Sequence, residues 1–266
     1  MIDAHIHLDF IVNGEEVASD AETVGARLLS ATVTPSGFRM AQSRFSAFGN
    51  VTVGLGLHPW WVEHASDADL LLELLDEVTL VSEVGLDFGK RHRTTHDEQL
   101  RAFTRIARAC AEAGGKTLSI HSVHAASETL DVLEKTGVLD SCACIFHWFT
   151  GPSDQLKRAR EAGCWFSVGE RMLVTGKGRE YVKAISADRL LLETDAPPEQ
   201  GQAYSFVELQ ASLNRVSRGV ARIKGAAYSD EPSYAALMNR AVSARSARSS
   251  SASFAGCLQH FICRDR

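Results

Sequence analysis

Short apolar runs recur along the chain, and between them lie stretches in which apolar residues return every three or four positions. The runs fall at 2–7, 26–33, 51–57, 79–84, 116–121, 142–147, 164–168 and 189–194. Most are nearly continuous rather than alternating, the pattern of parallel strands covered on both faces. The clearest helical stretch is 94–114, where Leu100, Phe103, Ile106, Ala107 and Cys110 share one side and Arg101, Arg105 and Arg108 line another. A second helix is predicted from Ser153, with Leu156 and Ala159 inward, and a last one over 203–224 through Phe206, Leu209, Leu213, Val216 and Val220. Eight strands alternating with helices predict an α/β fold, a TIM (β/α)8 barrel, ahead of a doubly wound open sheet. A single domain over 1–225 is expected. Residues 226–266, rich in Ser, Ala and Arg and poor in large apolar side chains, are expected to be poorly ordered or loosely docked.

Composition narrows the setting. At 266 residues with 45% hydrophobic and 23% charged side chains, the chain has apolar mass for a sizeable core. No apolar run approaches the roughly 18 residues of a membrane span. Asp3, His5, His7 and Asp9 occupy the place where a secretory leader needs a basic and then an apolar segment. A cytoplasmic location and no membrane partner are therefore expected. The six cysteines form no C-x-x-C pair and read as buried small hydrophobes. Residues 215–266 hold 9 Lys and Arg against 3 Asp and Glu, whereas the preceding 214 residues hold 19 against 30. The body thus carries no broad basic field for nucleic acid.

The candidate chemistry lies at strand ends. His5 and His7 end the first run, His58 follows the third, and Glu83 and Asp87 belong to the fourth. His121 ends the fifth, His147 the sixth, and Asp195 follows the eighth. In a barrel these positions meet on the one face that hosts active sites. Among them, the four histidines His5, His7, His121 and His147 with the carboxylates of Glu83 and Asp195, and no thiolate, suit divalent zinc, manganese or magnesium. Six ligands exceed the needs of one tetrahedral ion, so two divalent ions about 3.5–4 Å apart are expected, with Glu83 as the bridging carboxylate. Such a pair would turn a shared water into a hydroxide nucleophile near neutral pH, and Asp195 would accept its proton.

The segments MIDAHIHLD, GLHPWW, SEVGLDF, SIHS, FHWFTG and LLLETDAPP resemble, in order and spacing, the motifs of the TatD family of metal-dependent deoxyribonucleases. The resemblance spans residues 1 to about 200. It implies an amidohydrolase-like barrel with a two-metal site that cuts phosphodiester bonds, with DNA as substrate. By motif, His5, His7 and Asp195 would hold one ion, His121 and His147 the second, and Glu83 would bridge. His58 would contact substrate phosphate. Two departures bear on the substrate. Where the family reads H-x-R-D/E-A, this chain reads His121-Ser122-Val123-His124-Ala125, so the arginine is absent and the acid is a histidine. Pro198 stands where an aromatic follows the last motif. The departures are compatible with the TatD-like members of the Qat anti-phage defence systems, which would make an ATPase and a deazaguanine-synthesis-like protein its partners.

Trp60 and Trp61 follow His58 and are placed to stack on a base or pack on a helix. Trp148 beside His147 offers the same two roles. Lys90, Arg91, His92 and Arg93 form a basic cluster, with Arg91 the candidate to hold phosphate in place of the absent arginine, and Arg171 a further candidate. An amide or other C–N bond in a small or modified molecule is the alternative target, because Val123 removes a phosphate ligand. A subunit acting mainly by binding is the remaining alternative.

Overall fold

The computed structural model describes residues 1–241. All eight apolar runs form strands: β1 Ile2–Ile6, β2 Arg27–Ser30, β3 Val51–Val53, β4 Leu80–Asp87, β5 Thr117–Val123, β6 Ala143–His147, β7 Trp165–Val168 and β8 Leu190–Leu192. Every ladder is parallel, and the strands follow one another in chain order as β1-β2-β3 and β4-β5-β6-β7-β8. Backbone bonds join the two groups. Past β3, Leu55 N–H donates to the Leu80 carbonyl and Leu57 N–H to that of Glu83, each at 3.0 Å. Past β8, Asp195 N–H donates to the His5 carbonyl at 2.9 Å, and His7 N–H to the Ala196 carbonyl at 2.8 Å. The sheet therefore closes into the predicted eight-stranded barrel.

The helices are α1 Gly14–Thr23, α2 Pro35–Phe45, α3 Asp69–Leu74, α4 His96–Ala113, α5 Ala126–Thr136, α6 Val138–Ser141, α7 Ser153–Glu161, α8 Glu170–Leu173, α9 Gly176–Ala184 and α10 Phe206–Lys224, with a further one over 231–241. In α4 the buried residues include Phe103, Ile106, Ala107 and Cys110 of the predicted apolar side, together with Gln99, Ala102 and Ala111, while Leu100 is half-buried. The start of α10 is set by Ser205, whose hydroxyl accepts from Glu208 N–H while the Glu208 carboxylate accepts from Ser205 N–H. None of these helices is long and apolar enough to cross a membrane.

Two apolar layers hold the barrel. One lies between strands and helices and includes Leu28, Val81, Leu118, Phe146 and Phe166. The other draws Ile2, Ala4, Leu29, Leu80, Ile145, Trp165 and Leu191 from six strands together with Tyr234 and Leu237, and so fills the barrel's interior at its N-terminal end. Those last two residues sit on a helix over 231–241 in which Ser233 and Leu237 are fully buried. The expectation of a loosely docked segment from 226 is thus corrected as far as 241: side chains of this helix complete the barrel floor. Residues 242–266 lie outside the described residues.

Two ladders carry a register shift, and both shifts fall at polar residues. In β1 the shift lies between Asp3 and Ile6, and in β4 between Val81 and Val84. Ile2, Ala4 and Leu80 point into the barrel floor, so strict alternation would send His5 and Glu83 outward into the helix layer. The shifts turn both side chains inward, as strand bulges beside active sites do.

Candidate metal centre

At the C-terminal face, Glu83 is the hub. It is 2% exposed, and five imidazoles surround its carboxylate. His121 Nδ1 lies 2.7 Å from Oε1, with His58 Nε2 at 3.6 Å and His147 Nε2 at 3.7 Å from the same oxygen. His5 Nε2 and His7 Nε2 lie 3.5 and 3.6 Å from Oε2. Asp195 Oδ1 is 3.6 Å from His7 Nε2 across the site. The structure thus brings together His5, His7, His58, Glu83, His121, His147 and Asp195.

Close approach of strands dictates the glycines between these residues. A Cβ on Gly56, two residues before His58, would stand 1.6 Å from the Thr32 carbonyl oxygen. Gly85, two residues after Glu83, has φ of 141° and leaves no room beside the His121 carbonyl, 2.1 Å from the would-be Cβ. Among the described residues, His124, Trp148 and Asp195 are the non-glycine residues with positive φ, at 53°, 37° and 54°, and all three line the cavity above the hub. Strained backbone is concentrated where the chemistry is.

The second ring nitrogens separate ligands from donors. His7 Nδ1 faces the Ala31 carbonyl at 3.2 Å, an acceptor only, so the proton sits on Nδ1 and Nε2 is left with its lone pair toward the hub. His147 Nδ1 faces Glu193 Oε2 at 3.0 Å, which orients its ring in the same sense, and Ser167 hydroxyl donates to that carboxylate oxygen. His5 Nδ1 pairs with Ser119 Oγ at 2.8 Å, while its buried Nε2 has no hydrogen-bond partner among the described residues. His58 is wired the opposite way. Trp60 N–H donates to its Nδ1 at 3.1 Å, so the neutral ring carries its proton on Nε2, where it donates and does not ligate.

Electrostatics follow from this packing. Burial opposes charge on Glu83, but His58, His121 and His5 outweigh it and hold the carboxyl well below its usual range. Burial pushes His5 down to about 4, helped by His147, and His58 down to about 3. His147 is also buried, yet Glu193 raises it to about 10. His121 lies between two carboxylates, Glu83 and, at 3.2 Å from Nε2, Asp87; against burial they raise its pKa. Asp3 sits beneath the site and accepts from Thr194 N–H and, at 2.5 Å, Thr194 hydroxyl, while burial lifts it to about 8.

An orphaned, buried His5 nitrogen amid imidazoles and carboxylates fits divalent metal ions. Three groups have all their donor atoms within 4.8 Å of one another: His5-His7-Glu83, His5-His147-Asp195 and His58-Glu83-His121. Glu83 belongs to two of them, one of which includes His58, whose protonated Nε2 makes it a donor to the site rather than a ligand. His147 is grouped with His5 and Asp195, where the motif resemblance pairs it with His121.

The hub opens into a cavity of about 700 Å³. Phe10, Val33, Trp60, Trp61, Val123 and Trp148 give it apolar walls. Trp60 is half exposed, stacks on His92 with centroids 5.4 Å apart, and donates from Nε1 to Asp87 Oδ2 at 2.6 Å. Arg91 is exposed and is not among the residues lining this cavity; Arg171 is. Glu193 had no role in the sequence reading, because in LLLETD it looks like the end of an apolar run, although it lies two residues before Asp195 on the same strand end.

Comparison with known proteins agrees with this geometry. The family described as TatD related DNase matches residues 2–231. The 3'-5' ssDNA/RNA exonuclease TatD of Klebsiella pneumoniae is 29% identical over 209 residues, 74% of this chain and 78% of its own. YcfH of Escherichia coli, a metal-dependent hydrolase, is 26% identical over 242 residues, 85% of this chain and 89% of its own. The crystal structure of the TatD homologue YJJV from Escherichia coli shares the fold, with a TM-score of 0.73 at 21% identity, covering 90% of this chain and 95% of that one. The chain belongs to the TatD-related DNase family and is a hydrolase.

Proposed function

We propose that this protein is a two-metal hydrolase that cleaves phosphodiester bonds in DNA. The observation that carries the reading is the buried Glu83 carboxylate within 3.7 Å of five imidazoles, with Asp195 opposite. Glu83 would bridge two ions, with His5, His7 and Asp195 on one side and His121 and His147 on the other. When bound, the ions supply charge that polarises the phosphate and acidifies a water. The chain's own groups do the rest. Asp195 accepts the proton of the attacking water. His58, neutral at working pH, donates from Nε2 to a substrate phosphate oxygen. Trp60 offers a ring face for a base, a contact worth about 1–3 kcal/mol in single-strand binders. Asp87 holds both Trp60 and His121 and so fixes the ring relative to the hub.

Nuclease assays of the purified protein with Mg²⁺, Mn²⁺ or Zn²⁺, beside His5→Ala and Asp195→Asn, test this. Loss of about 10³-fold or more in both variants is expected; activity surviving in them would refute it. The apolar walls and Val123 favour a second reading, hydrolysis of a C–N bond in a small or modified molecule, which robust cutting of plain oligonucleotides would rule out. Work within an anti-phage system, beside an ATPase and a deazaguanine-synthesis-like protein, is the cellular setting we propose; co-purification from cells carrying the whole system tests it.

A further inference from the structure

Among the residues lining the cavity there are several imidazoles and carboxylates but a single permanent cation, Arg171. The end of β5 supplies Val123 and His124 instead, and the basic cluster at 90–93 stays outside. Arg171 stands on α8, just past β7. Its Nη1 is 3.6 Å from Asp195 Oδ2, too long for a hydrogen bond, and its Cζ lies 5.4 Å from the centre of the Trp148 ring. No hydrogen bond to its guanidinium is made among the described residues, and the side chain is 55% exposed. The planar fork is thus held at the edge of the metal centre by one charge and one ring, with its donors open to the cavity. A fork of that geometry matches a phosphate or carboxylate through two parallel bonds.

Position adds a direction. Trp60 enters from the segment after β3 and Arg171 from the segment after β7. In an eight-stranded barrel with strands in chain order these lie on opposite sides. The hub lies between them. A bound molecule that reaches both therefore carries an aromatic ring at one end and one oxyanion at the other, with the bond to be cut between.

We propose that Arg171 is the specificity-determining residue of this hydrolase and holds the single oxyanion next to the scissile bond. A lone cation on that side selects a molecule ending in one such group rather than a long run of phosphates, so the enzyme acts at chain ends or on short substrates. The assignment rests on the hydrolase reading of the hub, while the oxyanion subsite itself does not require that the bond be a phosphodiester.

The test compares the dinucleotide TpT with pTpT and TpTp, which add one terminal phosphate. With wild-type protein, one phosphorylated form has the higher kcat/KM. In Arg171→Gln that preference falls by 10- to 100-fold, through KM, with metal content per chain retained; Arg171→Lys, a charge without the fork, keeps part of it. An unchanged preference in Arg171→Gln, or a loss shared equally by TpT through kcat, would overturn the proposal. Calorimetric titration of metal-loaded protein with thymidine 3',5'-bisphosphate, thymine-1-acetate and thymidine separates phosphate from carboxylate. If wild-type protein cuts no dinucleotide but binds one anionic ligand in an Arg171-dependent way, the phosphodiester reading fails and the subsite stands. If neither anion binds better than thymidine, the subsite fails.

Discussion

The two ends of the barrel interior are built on opposite rules. At the floor, Ile2, Leu29, Leu80, Ile145, Trp165 and Leu191 meet Tyr234 and Leu237 in an apolar plug. At the top the same barrel, a few residues further along its strands, presents His5, His7, Glu83, His121, His147 and Asp195. The floor gains stability with every group it buries. The top holds an ionised carboxylate among buried imidazoles, an arrangement that costs desolvation and is sustained by neighbouring charge. Separation along one set of strands lets the floor supply the stability that the top consumes.

Leu237→Ala tests the floor most severely. Leu237 is fully buried, and a cavity there should cost about 2–5 kcal/mol. Thermal unfolding should show a drop of roughly 5–15 °C for a chain of this size. Turnover per folded molecule should stay within about twofold, since no atom of the metal centre is touched; a proportionate loss of turnover would show that the two ends are not independent.

Glu193→Gln reaches the top without removing a ligand. It weakens the group that fixes the His147 ring, and partners of metal-bound histidines are worth roughly 10- to 100-fold in metal affinity. Competition with a fluorescent chelator would measure this, and an unchanged affinity would show that the ring is oriented by packing alone.

Acid should act on the top through His5 and His58. In metal-free protein, His5 and His58 titrate at about 4 and about 3, below the ordinary 6.5. The unfolded chain therefore binds more protons below pH 6.5, and stability falls as pH drops from there toward 4. Asp3, raised to about 8, acts in the opposite sense between its ordinary range and that value and flattens the slope. His147, raised to about 10, contributes stability below pH 6.5 that fades as pH rises through 10. Urea unfolding of chelator-treated His58→Gln should show a shallower acid limb than wild type; identical limbs would remove His58 from the account.

Much of this was legible in the residues, because the strands are continuous apolar runs and their ends carry chemically distinctive side chains. Edges were less so. β4 and β5 run on to Asp87 and Val123, past the last apolar-run residues at 84 and 121, since polar side chains at the cavity still pair through their backbones. The 231–241 helix was hidden because it buries only a few apolar residues, on one side. Glu193, Ser119 and Ser167 act by orienting a histidine, and no spacing rule marks such partners. The choice between Arg91 and Arg171 turned on loop paths, which local sequence does not encode.

The register shifts at His5 and Glu83 also govern which length changes the strands tolerate. Removing one residue within either shift would restore a regular ladder while leaving the apolar count of the strand nearly intact. With Ala4 removed, for instance, His5 would follow outward-facing Asp3 directly and still point inward, because the residue lost is the extra one. The extra residue in each strand is thus the one length change its ladder can absorb, while a one-residue deletion elsewhere in the strand exchanges the faces of every residue on one side of it.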